Sequence, residues 1–433
     1  MKVCALTLGC KVNQYESDAI LTMFTDHGYQ VTENVEDADV IIVNSCTVTS
    51  VSAGKSRQTV RRAKKNNPDA IVVLTGCYSE VDYEQARRIM EADVVTGANH
   101  KEKILEYVEQ RLKSKERILA HQSQEDLSID DLPTPISGSR TRAALKIQDG
   151  CNNYCSYCII PYARGPIRSR DFHDVLERLK GLQSSGYKET VLTGIHLASY
   201  GRGTDKDLTD LLERIGEQAP DMKIRLGSMD PSYLNEERIL RLSRIPNLCA
   251  HYHLSLQSGC DATLKRMNRR YTTGEYAHIA KLLQKHIPDV SLTTDIIVGF
   301  PGETQEEFEE TLAFVQSIGF YRLHIFQFSP REGTKAAKMQ GKVPNTVKEE
   351  RSKILTDLNK HFMETHHLKF IGRSMKVLFE TEFRQAQQVN TSKCFEGFTD
   401  NYIKVVSGNK DIVPGEFLNV HPVKSFGDYV WAD

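Results

Sequence analysis

Residues 148–166, QDGCNNYCSYCIIPYARGP, contain three closely spaced cysteines, Cys151, Cys155 and Cys158. Three thiolates at C-x3-C-x2-C spacing, with no fourth Cys or His within reach, can bind three irons of a [4Fe-4S] cluster and leave the fourth iron open. Two alternatives stay open: a zinc site that lacks its fourth local ligand, and three unrelated thiols. Zinc sites usually contain two pairs of ligands, each at C-x2-4-C spacing. This irregular triplet therefore favours a cluster with an open iron.

The composition is that of an ordinary soluble protein. The chain has 433 residues, of which 39% are hydrophobic and 26% charged, enough for two or three domains with cores. The apolar runs are too short to span a membrane, and Lys11 follows the start too closely for a signal sequence. We therefore expect a cytoplasmic protein without membrane association, in which ten cysteines stay reduced. The net charge of −1 gives no global signal for nucleic acid, so RNA contact would need a local basic surface.

Residues 1–111 show alternating strand and helix patterns, and three of the predicted strands end next to a cysteine: Cys10, Cys46 or Cys77. Strands joined by crossover helices pair in parallel, so their carboxyl ends lie on one edge of the sheet, where ligands bind. We predict that these three thiols hold a second [4Fe-4S] cluster with an open iron. The alternative is that each is a small buried core residue. Four further cysteines lack partners at the sequence spacing typical of metal ligands, and we expect them to be structural: Cys4, Cys249, Cys260 and Cys394.

Residues 112–139 are polar and are interpreted as a linker. Basic residues then surround the first triplet, and they form either a solvated face or a phosphate-contacting patch near the active site. These residues are Arg140, Arg142, Lys146, Arg164, Arg168 and Arg170.

Residues 140–344 repeat a strand–helix pattern six times, which predicts a partial (β/α)6 barrel with its site at the carboxyl-end loops. The fourth strand is predicted at residues 253–256. Small or polar residues that end later strands are expected to approach a ligand, and they are Gly194, His196, Gln257 and Gly299. His196 and Asp230 are candidate polar contacts, although an exposed loop position is the simpler account of each.

Residues 345–371 are predicted to form a polar connecting helix, with His366 and His367 as caps or surface residues because no cysteine lies nearby. Residues 372–433 contain short β-type runs split by turns, which predicts a small all-β barrel, a common architecture for RNA binding. Seven basic and eight acidic residues in this segment do not by themselves support RNA binding.

The whole arrangement resembles the methylthiotransferase family of radical S-adenosylmethionine (SAM) enzymes. The segment around Cys151 is similar to the cluster-binding motif of radical SAM proteins, and residues 372–433 resemble a TRAM domain. Within the family, residues 9–16 are most similar to the branch that acts on N6-threonylcarbamoyladenosine (t6A) at position 37 of tRNA. The motifs that carry the resemblance are LGCKVNQYES (8–17), NSCTV (44–48), TGC (75–77), GCNNYCSYCIIP (150–161), GFPGET (299–304) and FSPREGT (328–334).

The resemblance implies a reaction that consumes two SAM molecules on two [4Fe-4S] clusters. One SAM would bind the open iron held by the Cys151 triplet and be cleaved to a radical that abstracts hydrogen from adenine C2. The other would methylate a sulfur at the Cys10 triplet, and the methylthio group would join C2. Gly194, His196, Gln257 and Gly299 would then contact SAM, and no catalytic residue beyond the cluster ligands is expected.

The expected partners are a tRNA anticodon loop, an electron donor such as flavodoxin or ferredoxin, and a sulfur source. Two sister branches stay open as alternatives, one acting on isopentenyladenosine-37 of tRNA and one on a ribosomal protein aspartate. A different class, a non-catalytic RNA-binding protein stabilised by metal sites, is also open at this stage.

Overall fold

Three β-sheet units follow one another along the chain, in the predicted order: an N-terminal parallel sheet, a central partial barrel and a C-terminal curled sheet. The structure is a computed structural model that describes residues 1–121, 128–135, 141–383 and 393–433. None of the helices within these ranges is long and apolar enough to cross a membrane. The predicted α/β fold class is confirmed.

The N-terminal unit is a six-stranded sheet in the order β2-β1-β3-β4-β5-β6, with every pair parallel. Its central strands are fully buried runs of β-branched residues, as expected for a sheet covered on both faces. The strands are β1 (Lys2–Thr7), β2 (Gln30–Val31), β3 (Val40–Ser45), β4 (Ile71–Gly76), β5 (Val94–Thr96) and β6 (Ile118–Ala120). The helices are α1 (Lys11–Asp26), α2 (Ser50–Asn66), α3 (Cys77–Val81), α4 (Tyr83–Ala86) and α5 (Ile104–Ser114).

The segment predicted as a linker, 112–139, is not a plain connector. Strand β6 lies inside it and extends the N-terminal sheet. Further on, Asp130 accepts a hydrogen bond from the His100 amide, and the Leu132 carbonyl accepts one from Arg178. A three-residue edge strand gives too weak a periodic signal to be recognised in a polar sequence. Residues 122–127 and 136–139 of the predicted linker lie outside the described residues.

The central unit is the predicted partial (β/α)6 barrel. Its six main strands form two parallel three-stranded sheets, β7-β10-β11 and β12-β13-β14, which isolated bridges connect at Ile224–Leu248 and Met229–Leu254. The main strands are β7 (Arg142–Lys146), β10 (Glu189–Thr193), β11 (Lys223–Leu226), β12 (His251–His253), β13 (Ser291–Val298) and β14 (Arg322–Gln327). Two short strands, β8 (Gln148–Asp149) and β9 (Arg168–Ser169), pair with each other. The helices are α6 (Ile160–Arg164), α7 (Phe172–Ser184), α8 (Leu208–Gln218), α9 (Glu236–Leu242), α10 (Asp261–Arg266), α11 (Thr273–His286) and α12 (Gln305–Ile318).

The fourth barrel strand begins two residues earlier than predicted. It covers His251–His253, and after it the chain makes only single bridges with its neighbours, at Leu254 and Gln257. Gln257 has a φ of 74°, a left-handed conformation that does not continue a strand. The apolar residues at 254 and 256 that suggested the strand are instead buried beneath the barrel rim.

Helix α13 (Asn345–Leu368) is the predicted connecting helix, and it packs along β14. The expectation that His366 and His367 are surface or capping residues is wrong, because both are buried. His366 pairs with the Ser291 hydroxyl at 2.8 Å, and His367 lies between Tyr321 and Ser425, at 3.1 and 2.9 Å. The two histidines therefore join the barrel to the C-terminal unit.

The C-terminal unit is a mainly antiparallel six-stranded sheet in the order β18-β15-β16-β17-β20-β19. Its two edge strands are separated in sequence by His421 alone, so the sheet must curl until its edges meet. The strands are β15 (Met375–Glu382), β16 (Phe395–Thr399), β17 (Lys404–Ser407), β18 (Phe417–Val420), β19 (Pro422–Ser425) and β20 (Val430–Ala432). An apolar cluster that includes Val377, Phe379 and Val405 fills the interior.

One turn of the C-terminal unit inserts against the barrel. Arg225 of β11, almost fully buried, donates hydrogen bonds to the carbonyls of Thr399 and Asp400. Tyr402, in the left-handed conformation with a φ of 68°, stacks on the His251 ring with centroids 4.4 Å apart. This contact brings a C-terminal side chain to the barrel interior.

Candidate functional site

A cavity of about 790 Å³ extends along the barrel interior from the carboxyl-end loops to the first residues of β12 and β14. Cys151, Cys155 and Cys158 line it from the first barrel loop, and Cys10 lines it from the N-terminal unit. The structure thus brings the whole first triplet and one member of the N-terminal triplet, Cys10, to one cavity, although the two segments are far apart in sequence. A cavity of this size is in the range of small-molecule sites.

Strand register brings the N-terminal triplet together. Ser45 of β3 pairs with Gly76 of β4, and the residues that follow them are Cys46 and Cys77. Gly9, just before Cys10, lies so close to Cys46 that a Cβ at position 9 would be 2.8 Å from Cys46 Sγ. Gly9 also has a φ of 100°, which disfavours any side chain there. The close approach of the strand ends therefore depends on glycine.

A buried arginine contacts this triplet. Arg164 of α6 donates a hydrogen bond from Nε to Cys77 Sγ at 3.2 Å and another from Nη2 to Asn13 Oδ1 at 2.6 Å. Asn13 in turn donates from Nδ2 to the carbonyls of Leu8 and Ser45, which ties the ends of β1 and β3 together. Burial raises the pKa of the Cys77 thiol to about 11, and the Arg164 charge opposes that rise.

The Cys151 triplet has a matching contact. Arg269 donates a hydrogen bond from Nη1 to Cys155 Sγ at 3.3 Å. Two backbone hydrogen bonds hold the loop that carries this triplet. The Cys151 amide donates to the Gly165 carbonyl, and the Cys158 amide donates to the Cys155 carbonyl. Burial raises the pKa of Cys158 to about 12, so a metal must displace the thiol proton when it binds. Each triplet therefore has one buried guanidinium that can stabilise negative charge on its sulfurs.

The basic residues around the first triplet form neither a solvated face nor a phosphate patch. Lys146, Arg164, Arg168 and Arg170 are all buried, and Arg142 pairs with Glu380 of the C-terminal unit at 2.6 Å. Both interpretations offered for them are therefore wrong for the described members. Arg140 lies outside the described residues.

The main acidic partner of these buried basic residues is Glu16 of α1, which is itself fully buried. Lys146 Nζ lies 2.7 Å from Glu16 Oε1, Lys101 Nζ lies 3.2 Å from Oε2, and Arg164 also pairs with this carboxylate. Burial alone would raise the pKa of Glu16, but these three cations hold it well below its usual range. Asp149 pairs with Lys146 in the same network, at 2.5 Å. The cations thus hold the N-terminal unit against the barrel.

His196 and Asp230 line the cavity, so the interpretation of each as an exposed loop residue is wrong. His196 Nε2 lies 3.0 Å from Asn153 Nδ2 and 3.6 Å from Asp230 Oδ2. Arg269 Nη2 pairs with the same Asp230 oxygen at 3.1 Å. Burial would raise the pKa of Asp230, yet the hydrogen bond from His196 and the Arg269 charge lower it strongly. Asp230 thereby orients both the histidine and the arginine that contacts Cys155.

Of the predicted SAM contacts, Gly194, His196 and Gln257 line the cavity, whereas Gly299 does not. Gly299 packs against α13, where a Cβ would meet the Lys348 side chain at 2.3 Å, and its amide donates to Glu303. Its conformation serves the packing of the helix. The sequence pattern alone does not distinguish a glycine that lets the backbone approach a ligand from one that packs against a helix.

Several polar residues of the barrel interior were not predicted. They occupy alternate positions on the last three strands and face the cavity, and they are His251, His253, Thr293, Asp295, Arg322 and His324. The sequence did contain a signal for them, because these polar residues recur at every second position in strands that would otherwise be apolar. Lys11 and Tyr402 line the same cavity from the other two units, a placement that no local pattern reveals.

The described residues were compared with the requirements of a single-ion metal site. Within the described parts of the chain, no three His, Cys, Asp or Glu side chains converge as one metal ion would require. Cysteines that bind a four-iron cluster each hold a different iron, so their sulfurs need not meet at one point. Cys4, Cys249, Cys260 and Cys394 are buried in cores, as expected for structural residues.

Comparison with known families gives two matches. Residues 145–315 match the radical SAM superfamily, and residues 2–97 match a family described as "Uncharacterized protein family UPF0004". Among solved structures, the radical SAM methyltransferase TsrM from Kitasatospora setae matches with a TM-score of 0.57 and 13% identity, covering 78% of this chain and 74% of that chain. This likeness supports the fold alone.

Curated relatives match along nearly the full length. A threonylcarbamoyladenosine tRNA methylthiotransferase from Bacillus subtilis is 39% identical, covering 97% of this chain and 93% of the relative. A protein of the same name from Aquifex aeolicus is 36% identical, with 94% and 96% covered. A tRNA-2-methylthio-N(6)-dimethylallyladenosine synthase from Clostridium perfringens is 31% identical, with 98% and 95% covered.

Proposed function

The chain belongs to the radical SAM methylthiotransferase family, and on that premise we propose that it adds a methylthio group to C2 of t6A at position 37 of tRNA. The observation that carries the proposal is the single cavity that Cys10 shares with Cys151, Cys155 and Cys158. A reaction that combines sulfur from one cluster with a radical generated at another needs both next to the same substrate atom.

The cofactors are two [4Fe-4S] clusters and SAM. We assign one cluster to Cys151, Cys155 and Cys158, and the other to Cys10, Cys46 and Cys77. When bound, these groups supply the methylated sulfur and the radical that removes hydrogen from adenine C2. Gly194, His196 and Gln257 are the residues assigned to SAM, because they line the cavity next to the first triplet.

The residues of this chain hold and shield the reacting groups. Arg164 and Arg269 each place a positively charged guanidinium group next to one thiol, Arg164 beside Cys77 and Arg269 beside Cys155. Asp230 keeps Arg269 in place by the ion pair at 3.1 Å. Buried charges of this kind need no reorganisation during the reaction.

The substrate base must enter from solvent. Adenosine 37 lies in the anticodon loop and must leave its stack to reach a C2-directed site, as single-stranded RNA bases can. Lys11 and Tyr402 line both the main cavity and an adjoining one of about 240 Å³. We propose that this second space is part of the entry path and that the TRAM-like C-terminal unit contacts the tRNA beside it.

Among the sister reactions, t6A is favoured for two reasons. Identity to the named t6A relative is 39%, against 31% to the named dimethylallyladenosine relative, at similar coverage. Residues 9–16 also carry the motif that resembles the t6A branch. The non-catalytic alternative is set aside, because the full-length relatives are enzymes by name and the radical SAM match covers the barrel.

Further partners follow from the chemistry. Reductive cleavage of SAM requires an electron donor, for which flavodoxin or ferredoxin is suitable, and the methylthio group requires a sulfur source. We propose a cytoplasmic location, because reduced thiols and tRNA are found together there.

The proposal is tested by supplying the reconstituted enzyme with SAM, a chemical reductant and either t6A37-tRNA or isopentenyladenosine-37 tRNA. Mass spectrometry of the digested nucleosides should show t6A gaining one SCH2 unit and isopentenyladenosine unchanged. Modification of the isopentenyl substrate alone would assign the chain to the sister branch. A Cys46→Ala variant is the matched negative control, because it lacks one proposed sulfur-cluster ligand.

A further inference from the structure

Two cations line the cavity without an acidic partner. Lys11 and Arg322 make neither an ion pair nor a side-chain hydrogen bond to any described residue. The acidic lining residues are Asp230 and Asp295, and each has its own partner, Arg269 at 3.1 Å and a histidine of β12 at 3.2 Å. The cavity therefore holds an excess of positive charge.

Arg322 lies well below the rim that carries the first triplet, and Lys11 is close enough to act, like Arg322, on the charge of His324. Arg322 is level with Thr293 of β13, whereas Phe326, four residues further along β14, is level with Ile297 at the rim. Four residues of a strand span about 13 Å. Arg322 therefore lies well away from the thiols of the first triplet, at the other end of the cavity.

Polar rings surround this lower part of the cavity. His253 lies 3.0 Å from the Thr293 hydroxyl, and the His253 and His324 ring centroids are 5.5 Å apart. Tyr402 lines the same cavity from the C-terminal unit. Groups that donate and accept hydrogen bonds suit a polar ligand and disfavour a purely hydrocarbon one such as an isopentenyl group.

From these contacts we infer that Arg322 and Lys11 bind the carboxylate of the threonyl group on the N6 substituent of the substrate base. The inference rests on the proposed function, since t6A carries a carboxylate that isopentenyladenosine lacks. Arg322 would supply the planar fork that pairs with a carboxylate, and Lys11 a point charge. Cys10 immediately precedes Lys11, so binding of the substituent would also position the base near the N-terminal triplet.

The test uses two forms of one tRNA, assembled by ligation with a synthetic anticodon loop. One carries t6A at position 37, and the other carries the corresponding threonyl carboxamide, which differs only in lacking the negative charge. The reconstituted holoenzyme is compared with Arg322→Gln and Lys11→Gln. Arg244→Gln is the matched control, because Arg244 is an exposed arginine of the same unit.

We expect kcat/KM for t6A to fall about 10- to 100-fold in Arg322→Gln, the loss expected for one charge-assisted hydrogen bond. The value for the carboxamide should not change, and Arg244→Gln should match the wild type on both substrates. Lys11→Gln should behave as Arg322→Gln does, with the iron content per chain unchanged.

Three results would overturn the inference. An equal fall with both substrates would assign Arg322 to a phosphate contact or to structure. A raised KM for SAM, with slower SAM cleavage in the absence of tRNA, would assign it to the SAM carboxylate. If the wild type modifies neither tRNA although it cleaves SAM, the proposed function itself fails, and the inference fails with it.

Discussion

Arg164 Nε lies 3.2 Å from Cys77 Sγ, so the loop that follows one cysteine triplet contacts a member of the other. The arginine is fully buried and belongs to helix α6, directly after the Cys151 triplet. The two halves of the site are therefore linked by a charge, in addition to sharing a cavity.

Replacement of this arginine should weaken the N-terminal cluster selectively. Arg164→Gln removes the cation that stabilises negative charge on Cys77, and it also leaves part of the Glu16 charge unpaired, at a cost of about 3 kcal/mol or more. We expect iron per chain to fall from about eight toward four after anaerobic reconstitution, since each cluster holds four irons. Iron and acid-labile sulfide assays measure this.

Arg168→Gln is the control for this prediction. Arg168 pairs with Asp149 at 3.3 Å and donates to Asn99 at 2.8 Å, in the same buried network but without a contact to a thiol. We expect it to destabilise the interface while both clusters stay loaded. Equal iron loss in the two variants would show that the network acts only by holding the units together.

The two triplets should fail in different ways. Cys151→Ala should lose reductive SAM cleavage altogether, whereas Cys46→Ala should keep cleavage and lose methylthiolation. In the proposed function the radical arises at the Cys151 triplet and the sulfur is held at the Cys10 triplet, so each variant should remove only one of the two activities. Chromatographic measurement of 5'-deoxyadenosine and of methylthiolated nucleoside separates the two activities. Full product formation by Cys46→Ala would contradict the two-cluster assignment.

Arg225 should anchor the C-terminal unit. Arg225→Met removes a bidentate pair with Glu189 and two hydrogen bonds to carbonyls of the inserted turn, leaving Glu189 with fewer partners in a buried site. We expect a loss of about 3 to 5 kcal/mol in unfolding free energy, together with faster proteolysis of the C-terminal unit. Urea titration and timed digestion provide the measurements.

Lys223→Gln serves as the comparison for Arg225→Met. Lys223 also bridges to the C-terminal unit, through Asp400 at 2.6 Å, but this pair is partly exposed to solvent. An exposed pair of this kind contributes about 1 kcal/mol or less. Similar destabilisation in both variants would mean that burial of Arg225 does not matter to the docking.

Acid should loosen the junction held by His366 and His367. Burial lowers the pKa of His366 to about 3 and that of His367 to about 4, both from 6.5. The unfolded chain therefore binds more protons below pH 6.5, and stability declines as the pH falls toward the folded-state values. At pH 5.5 the loss is about 1.4 kcal/mol for each histidine.

This pH effect is measured as the difference in unfolding free energy between pH 7.5 and pH 5.5. The variant His366→Gln should show a smaller difference than the wild type, by about 1.4 kcal/mol, because glutamine does not titrate. His361→Gln, which replaces an exposed histidine of the same helix, should retain the wild-type difference. An unchanged pH dependence in His366→Gln would show that His366 does not carry the effect.

The local parts of the fold could be predicted from the sequence. The spacing of Cys151, Cys155 and Cys158, the cysteines after the strands of the first sheet, and the six strand–helix repeats all depend on residues near one another in the chain. Parallel pairing then requires the carboxyl ends of the strands to share an edge, which places the cysteines together. The partial barrel and the order of the three units followed from the same periodic patterns.

The roles of charged residues could not be predicted in this way. Arg164 and Lys146 have the same sequence signal whether they face water or Glu16, which lies more than 120 residues away. The helix histidines and Gly299 illustrate the same limit, because their partners come from other units.

Local spacing and strand direction were enough to predict most helices and strands, the order of the three units and the six cysteines proposed as ligands. Three further features depend on how the units pack: the cations buried against Glu16, the arginines that contact Cys77 and Cys155, and the side chains that line the cavity. Burial and pairing depend on which distant segments meet. A one-dimensional pattern records the chemistry of a side chain, but its charged partner is chosen when the units pack together.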